Sequence, residues 1–239
     1  MGLGIAIALI GLLTAYLFGS IPTGFLLAKA LKGIDIREHG SGNTGATNVF
    51  RVVGKGAGIT ALVIDLLKGV AAVLFMYWLL PFATSSLFDA ASLGANDLIG
   101  ENGGVLTYGN SPEGQAYFLW RSWLSMLAAL CAVIGHSKSV WLGFTGGKSA
   151  ATSLGVLLAL SWPVALSVAA VFATALGISR TVSVGSIAAA LSAFIFMVAL
   201  QQPLAYILLA LSGGAYVVYL HRSNISRLMS GTEPKTFGS

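Results

Sequence analysis

The chain has 239 residues, of which 56% are hydrophobic and only 9% charged, with a mean hydropathy of +0.86. Soluble domains carry about 25% charged residues, so the composition excludes an ordinary soluble protein and gives an integral membrane protein. The net charge of +5 would suggest nucleic acid in a soluble chain; here membrane orientation explains it, and no nucleic-acid partner is expected. The lone cysteine, Cys131, lies in an apolar run, rules out a disulfide framework and reads as a small buried hydrophobe.

A membrane span needs about 20 mainly apolar residues. The first such stretch, 3–31, contains Pro22; its leading part lacks the basic segment of a signal peptide and is expected to be retained. Further spans are predicted over 58–82, 117–134, 183–200 and 203–220. The stretch 150–178 is too long for one comfortable span and is interrupted by Ser161-Trp162-Pro163, so it predicts two short helices joined by a tight turn. The expected fold is all-α and integral to the membrane, with seven transmembrane helices in one unit over 1–239. Lys29, Lys32, Arg37, Arg51 and Lys55 fall between the first two spans, Lys138 and Lys148 between the third and fourth, and Arg180 between the fifth and sixth. Arg222, Arg227 and Lys235 follow the last. These are alternate connections, and Lys and Arg favour the cytoplasmic side, so the N-terminus is expected outside and the C-terminus in the cytoplasm. The connection over 84–116 carries Asp89, Asp97, Glu101 and Glu113 without a Lys or Arg and reads as a solvated external loop.

The unusual polar stretches all fall on the expected cytoplasmic face. In "HGSGNTGATNVFR" (39–51), Gly40, Gly42 and Gly45 permit close backbone approach. Ser41, Asn43, Thr44, Thr47 and Asn48 add side-chain donors, and Arg51 supplies a fork suited to phosphate or carboxylate. Exposed N–H groups in such a loop make an anion nest; the alternative is a flexible polar connection, against which the density of donors beside an arginine argues. Asp65 and Lys68, three residues apart inside the second span, are expected to pair and face the protein interior, with Lys68 as possible supporting charge for a site.

"FTGGKSAATSLG" (144–155) resembles a nucleotide-binding phosphate loop but is not one. A Walker A loop would need glycine at position 142, where Leu142 stands, and a preceding strand that a transmembrane span replaces. What survives is an anion cradle. Gly146 and Gly147 expose backbone N–H groups, Lys148 is the counter-charge, Ser149 caps, and the next helix points its positive end at the loop. "SRTVSVGS" (179–186) places Arg180 and Ser183 at the entrance of the sixth span. In "HRSNISRL" (221–228), His221 and Asn224 share a face if the helix continues, whereas Arg222 and Arg227 can snorkel at the interface. His39, His136 and His221 are dispersed, so no metal is expected, and no nucleophile–base signature suggests a covalent acyl-enzyme. The site offers anion holders and imidazoles, which points to direct transfer between two bound substrates, one of them phosphorylated. The rival from another class is a transporter for a phosphorylated solute; one-sided clustering of the polar motifs and the lack of paired midplane breaks argue against it. A second rival is another membrane acyl- or phosphotransferase using the same cradle.

Six strings carry a resemblance: "GSIPTGFLLAK" (19–29), "GSGNTGATNVFR" (40–51), "DLLKG" (65–69), "GH…GFTGGKSAAT" (135–152), "SRTVSVGSI" (179–187) and "HRSNISRLMSGTEP" (221–234). In this order and combination the chain resembles the PlsY family, the bacterial acyl-phosphate:glycerol-3-phosphate acyltransferases. The resemblance implies transfer of a fatty acyl group from acyl phosphate to the 1-hydroxyl of glycerol 3-phosphate. The products would be lysophosphatidic acid and inorganic phosphate, in the first step of bacterial phospholipid synthesis. It implies a multi-pass protein of the bacterial inner membrane, in contact with lipid, with its active site facing the cytoplasm and no cofactor. By the same resemblance Ser41 and Arg51, and His221 with Asn224, match functional residues. Gly146, Gly147 and Lys148 match the substrate-phosphate loop, Arg180 and Ser183 a polar pair, and Glu233 a structural acid. The chain departs from the family pattern at Ser139-Val140-Trp141, at Thr145, where a lysine is expected, and at Thr181, where an aromatic is expected. Its external loop is also longer.

Overall fold

The structure, a computed structural model, describes residues 2–84 and 112–236, and every regular element in them is helical. α1 (Gly2–Ser20) and α2 (Thr23–Lys32) together make one apolar span of 31 residues. Pro22 has no N–H to continue the ladder, and the helix that the sequence pattern reads as continuous is broken there. A single 3₁₀ turn (Ile36–Glu38) and the short α3 (Ala46–Val52) lead into α4 (Lys55–Thr84). α5 (Pro112–Ser137) follows; Asp89, Asp97 and Glu101 of the expected acidic loop lie outside the described residues. After a turn at Val140–Leu142 come α6 (Ala150–Leu160) and α7 (Trp162–Ser179). The chain ends in α8 (Val182–Ala199), α9 (Leu204–Leu220) and α10 (Arg222–Met229).

The expected break at Ser161-Trp162-Pro163 is present and is one residue wide. Ser161 takes an extended conformation, and Pro163 falls in the first turn of α7, where its missing N–H costs nothing. Among the described residues, five helical segments are long and apolar enough to cross a membrane, or six if α9 and α10, bent by 57°, count together. The count stops short of the expected seven because α6 has 11 residues. Such a helix reaches only about 16 Å, against a hydrocarbon core of about 30 Å.

Small residues let the helices approach backbone to backbone, as apolar helices do where lipid gives them no hydrophobic drive to associate. A Cβ on Gly155 of α6 would lie 1.9 Å from the Leu66 carbonyl oxygen of α4, and one on Gly69 of α4 would lie 2.3 Å from the Thr152 oxygen of α6. α1 meets α5 the same way, with Gly19 against Ala132 and Gly135 against Tyr16. Around these seams sit two cores. One includes Val73, Val156, Leu160, Val164, Met197 and Leu209; the other includes Ala15, Met76, Leu80 and Leu124, with half-buried Cys131 packed on its edge. Gly155→Ala is expected to force α4 and α6 apart. Overpacking of this kind costs about 1–3 kcal/mol, or roughly 2–10 °C in thermal midpoint for a chain of this size, to be read in detergent solution.

Candidate functional site

α4, α6, α7, α8 and α9 leave between them a cavity of about 310 Å³ whose two ends differ in chemistry. Its depth is apolar, walled by Leu62 and Leu66 of α4, Leu154 and Leu157 of α6, Phe172 of α7 and small residues of α8 and α9, among them Ala189, Ala193 and Gly213. Its mouth is polar and cationic. There Ser41, Asn43, Thr47 and Arg51 meet Lys148 and Ser149, together with Ser183, His221, Asn224, Arg227 and Glu233. The polar stretches separated in the sequence therefore converge on one opening.

A hydrogen-bond network ties the mouth together. Lys148 Nζ donates to Asn224 Oδ1. Asn224 Nδ2 donates to Glu233 Oε1 at 2.6 Å, and Ser183 Oγ donates to the same oxygen at 2.8 Å. Arg227 Nε donates to Glu233 Oε2 at 2.7 Å. Burial raises the pKa of the Glu233 carboxyl, but the donors from Asn224, Ser183 and Arg227 outweigh it and hold the group below the usual range. Burial pushes the Lys148 ammonium down to about 8, helped by the Arg227 and Arg51 charges and opposed by Glu233. The tail bearing Glu233 crosses the opening: Arg51 Nη2 donates to Pro234 O at 3.4 Å, and Thr236 N to Arg180 O at 2.7 Å.

His221 and Asn224 both face the cavity although the helix does not continue straight through them, since the chain bends between α9 and α10. His221 Nδ1 lies 2.8 Å from Val217 O. A carbonyl only accepts, so Nδ1 carries the proton and Nε2 of the neutral ring is left basic. Arg222 stacks over Tyr219 at 4.6 Å and does not line the cavity, whereas Arg227 turns inward to Glu233.

Several expectations need correction. Arg180 is exposed and does not line the cavity; its conformation is left-handed and its carbonyl is taken by the tail. Ser149 occupies the position before α6 but does not cap it. Its φ is +61°, and its hydroxyl donates to Val133 O at 2.7 Å. The 40–48 loop spends much of its backbone internally: Ser41 N donates to Asn48 Oδ1, Gly42 N to His39 O and Gly45 N to Asn43 Oδ1. Buried Asn48 braces that loop through Nδ2, with Ile36 O, His39 O and Asn43 O as acceptors. Gly40 and Gly42, at φ +62° and +69°, serve its turns rather than the cavity wall, which Gly45 reaches. Gly146 and Gly147 also stand off the wall, and Gly147 N–H is donated to His136 O at 3.1 Å. Side chains and the first turn of α6, through Ala150 and Ala151, face the cavity instead. Thr145, the departure expected to be a lysine, is off the wall too, its hydroxyl donating to Leu142 O at 2.8 Å. Asp65 and Lys68 pair at 2.9 Å as expected; Asp65 touches the cavity and Lys68 does not.

Comparison with known proteins decides the class. The glycerol-3-phosphate acyltransferase family model matches residues 9–231. The chain belongs to the glycerol-3-phosphate acyltransferase family. A glycerol-3-phosphate acyltransferase of Trichormus variabilis is 49% identical over 235 residues, covering 98% of this chain and 94% of that one. One from Nostoc sp. is 48% identical over the same length, with the same coverage. The crystal structure of PlsY (YgiH), an integral membrane glycerol 3-phosphate acyltransferase, in its glycerol 3-phosphate form, superimposes with a TM-score of 0.75. It is 37% identical, and the match covers 97% of this chain and 96% of that one. The lysophosphatidic acid form of the same protein gives a TM-score of 0.70 at 37% identity, covering 97% and 95%. This acyltransferase is thus an integral membrane enzyme, and the transporter reading falls away.

Two residues of the acyltransferase's cavity were missed by reasoning from residue chemistry. Glu233, which the family resemblance alone marks and in a structural role, is the acceptor at the centre of the mouth network. His136, one of three histidines dispersed along the sequence, lines the cavity beside Asp65. Its position eleven residues before Gly147 carries no local signal of their contact.

Proposed function

We propose that this acyltransferase moves a fatty acyl group from acyl phosphate to the 1-hydroxyl of glycerol 3-phosphate, releasing lysophosphatidic acid and inorganic phosphate. The observation that carries the reading is the cavity's division into a cationic mouth and an apolar depth. An acyl phosphate has the same division, an anionic head on a hydrocarbon tail. Its chain lies among Leu62, Leu66, Leu157 and the small residues of α8 and α9, and its phosphate lies at the mouth with Lys148 and Ser183. Glycerol 3-phosphate enters from the cytoplasm, its phosphate held by Ser41, Arg51, Asn224 and the Lys148 ammonium that it shares with the donor, beside Asn43 and Thr47, and meets the acyl carbonyl there.

The donor is already an activated mixed anhydride, so positioning and charge stabilisation supply most of the acceleration. The 1-hydroxyl oxygen attacks the acyl carbon, the carbon–oxygen bond to phosphate breaks, and phosphate leaves with the electron pair. Lys148 and the neighbouring donors stabilise its negative charge. The hydroxyl proton passes to an acceptor at the mouth, and His221 offers Nε2 for it. Arg180, exposed on the same side, contributes charge to the approach rather than a contact at the carbonyl.

The same reading sets the N-terminus outside, the C-terminus in the cytoplasm and the mouth at the inner face of the bacterial inner membrane, in keeping with the Lys and Arg distribution. Purified enzyme supplied with acyl phosphate and glycerol 3-phosphate is expected to release inorganic phosphate and form lysophosphatidic acid. Turnover with an acyl thioester but none with acyl phosphate would sink the donor assignment. His221→Ala is expected to lower kcat by about a hundredfold, within the range for general-base catalysis. A near-normal kcat would hand the proton to a phosphate oxygen of the donor.

A further inference from the structure

At the cavity wall, reaching back from Asp65 and His136 to Lys68, lies a buried cluster that the reaction as written does not use. Lys68 Nζ lies 2.9 Å from Asp65 Oδ1 and donates to Ile21 O at 2.8 Å, at the break between α1 and α2. His136 Nδ1, from the end of α5, stands 3.6 Å from the same Asp65 oxygen. The three side chains are 4%, 2% and 7% exposed, so burial gives the cluster little freedom to move. The outward side of His136 bears on the glycine strip. Its carbonyl accepts the Gly147 N–H at 3.1 Å. A Cβ on Gly147 would lie 2.0 Å from His136 Nε2, and one on Gly146 would lie 2.2 Å from the His136 carbonyl oxygen. Neither glycine has a positive φ, so here the absence of a side chain serves contact with the histidine rather than backbone conformation.

We propose that His136, anchored behind by Asp65 and Lys68, is a positioning residue that fixes the Gly146–Gly147 backbone and thereby aims the Lys148 ammonium at the mouth. Lys148 is the next residue in the chain, and its Nζ must meet Asn224 on α10. A shift of the strip by an ångström displaces the cation from that meeting point, and such misplacement is costly in positioned reactions. Lys68 joins the α1–α2 break to α4, and His136 extends the tie from α4 to the loop, so the strip is set by three helical segments. This inference rests on the reading of Lys148 as a phosphate holder.

The test is a set of variants assayed for glycerol 3-phosphate acylation in defined detergent. Lys148→Met serves as the reference. His136→Ala is expected to raise KM for glycerol 3-phosphate about tenfold while kcat stays within about threefold, because ground-state positioning is what it removes. Gly147→Ala drives a methyl group into the imidazole and is expected to lower kcat/KM about a hundredfold. The double variant His136→Ala/Gly147→Ala relieves that collision and is expected to return to the level of His136→Ala, a strong non-additivity. A double variant no better than Gly147→Ala, in kcat/KM or in yield from membranes, overturns the proposal. So does a Lys148→Met effect on KM without a His136→Ala effect. A Lys148→Met enzyme with unchanged KM instead overturns the phosphate reading on which the proposal rests.

Discussion

Lys148→Met is expected to lower kcat/KM for glycerol 3-phosphate by roughly 10- to 150-fold, the equivalent of one charge-assisted hydrogen bond of about 1.5–3 kcal/mol. The side chain is the cation of the mouth network, held by Asn224 and flanked by Arg51, Arg227 and Glu233. Its pH dependence gives a sharper signature. Burial, with help from the two arginines, pushes the ammonium down to about 8. The sign follows directly: the charge is complete well below pH 8 and is lost as the pH rises through it. The profile of kcat/KM, which reports the free enzyme, should therefore fall about tenfold per pH unit on the alkaline side of that value. Lys148→Arg keeps its charge at any accessible pH and should flatten the alkaline limb. Its absolute rate is still lower, because a planar fork does not reproduce a point charge. An unchanged alkaline limb in Lys148→Arg would detach the profile from this residue.

Glu233→Ala is expected to be the more damaging change to the fold of the mouth. The carboxylate, 5% exposed, accepts from Ser183, Asn224 and Arg227. Truncation leaves these donors facing one another without an acceptor, and an unsatisfied buried group costs about 1–3 kcal/mol. For a chain of this size that amounts to roughly 2–10 °C in thermal midpoint. Activity should fall about a hundredfold as well, since Asn224 loses the bond that orients it toward Lys148. Glu233→Gln keeps one acceptor oxygen and loses the charge, so it should fall between wild type and alanine on both measures. The carboxyl's folded pKa is held below its ordinary value of about 4.3. Its stabilisation is complete above that ordinary value and is lost as the pH falls through the lower folded one. The alkaline loss assigned to Lys148 is thus distinct from any titration of Glu233. A Glu233→Ala enzyme with wild-type midpoint and rate would remove the tail from the site.

Much of the cavity mouth was legible because each motif is local. Arg51 follows its loop directly, Asp65 and Lys68 pair at a helical spacing, and the bases and amides of 221–227 lie within two turns. What joins the motifs was not legible. Lys148 meets Asn224 across 76 residues and Ser183 meets Glu233 across 50. Neither contact has a spacing from which it can be read. The glycine strip misled for the same reason. Two adjacent glycines before Lys148 read as donors opened to an anion, and the structure uses them to admit the backbone and ring of His136. Ser149 and Asn48 misled as polar groups counted as available, when their hydrogen bonds were already taken by the protein.

By itself, the sequence determined the membrane class, the helical stretches with the break at Ser161, and the motifs that carry the chemistry. These follow from composition, from proline and from local spacing. The tertiary structure alone decided which face of each helix is inside. On α4, Leu67 and Leu74 are 53% and 51% exposed while Val73 and Met76 are fully buried, although all four are large and apolar. Lipid is as apolar as a protein core, so no hydrophobic contrast along the helix marks its inner face. Small residues and distant polar partners choose that face, and with it the donors that reach the cavity.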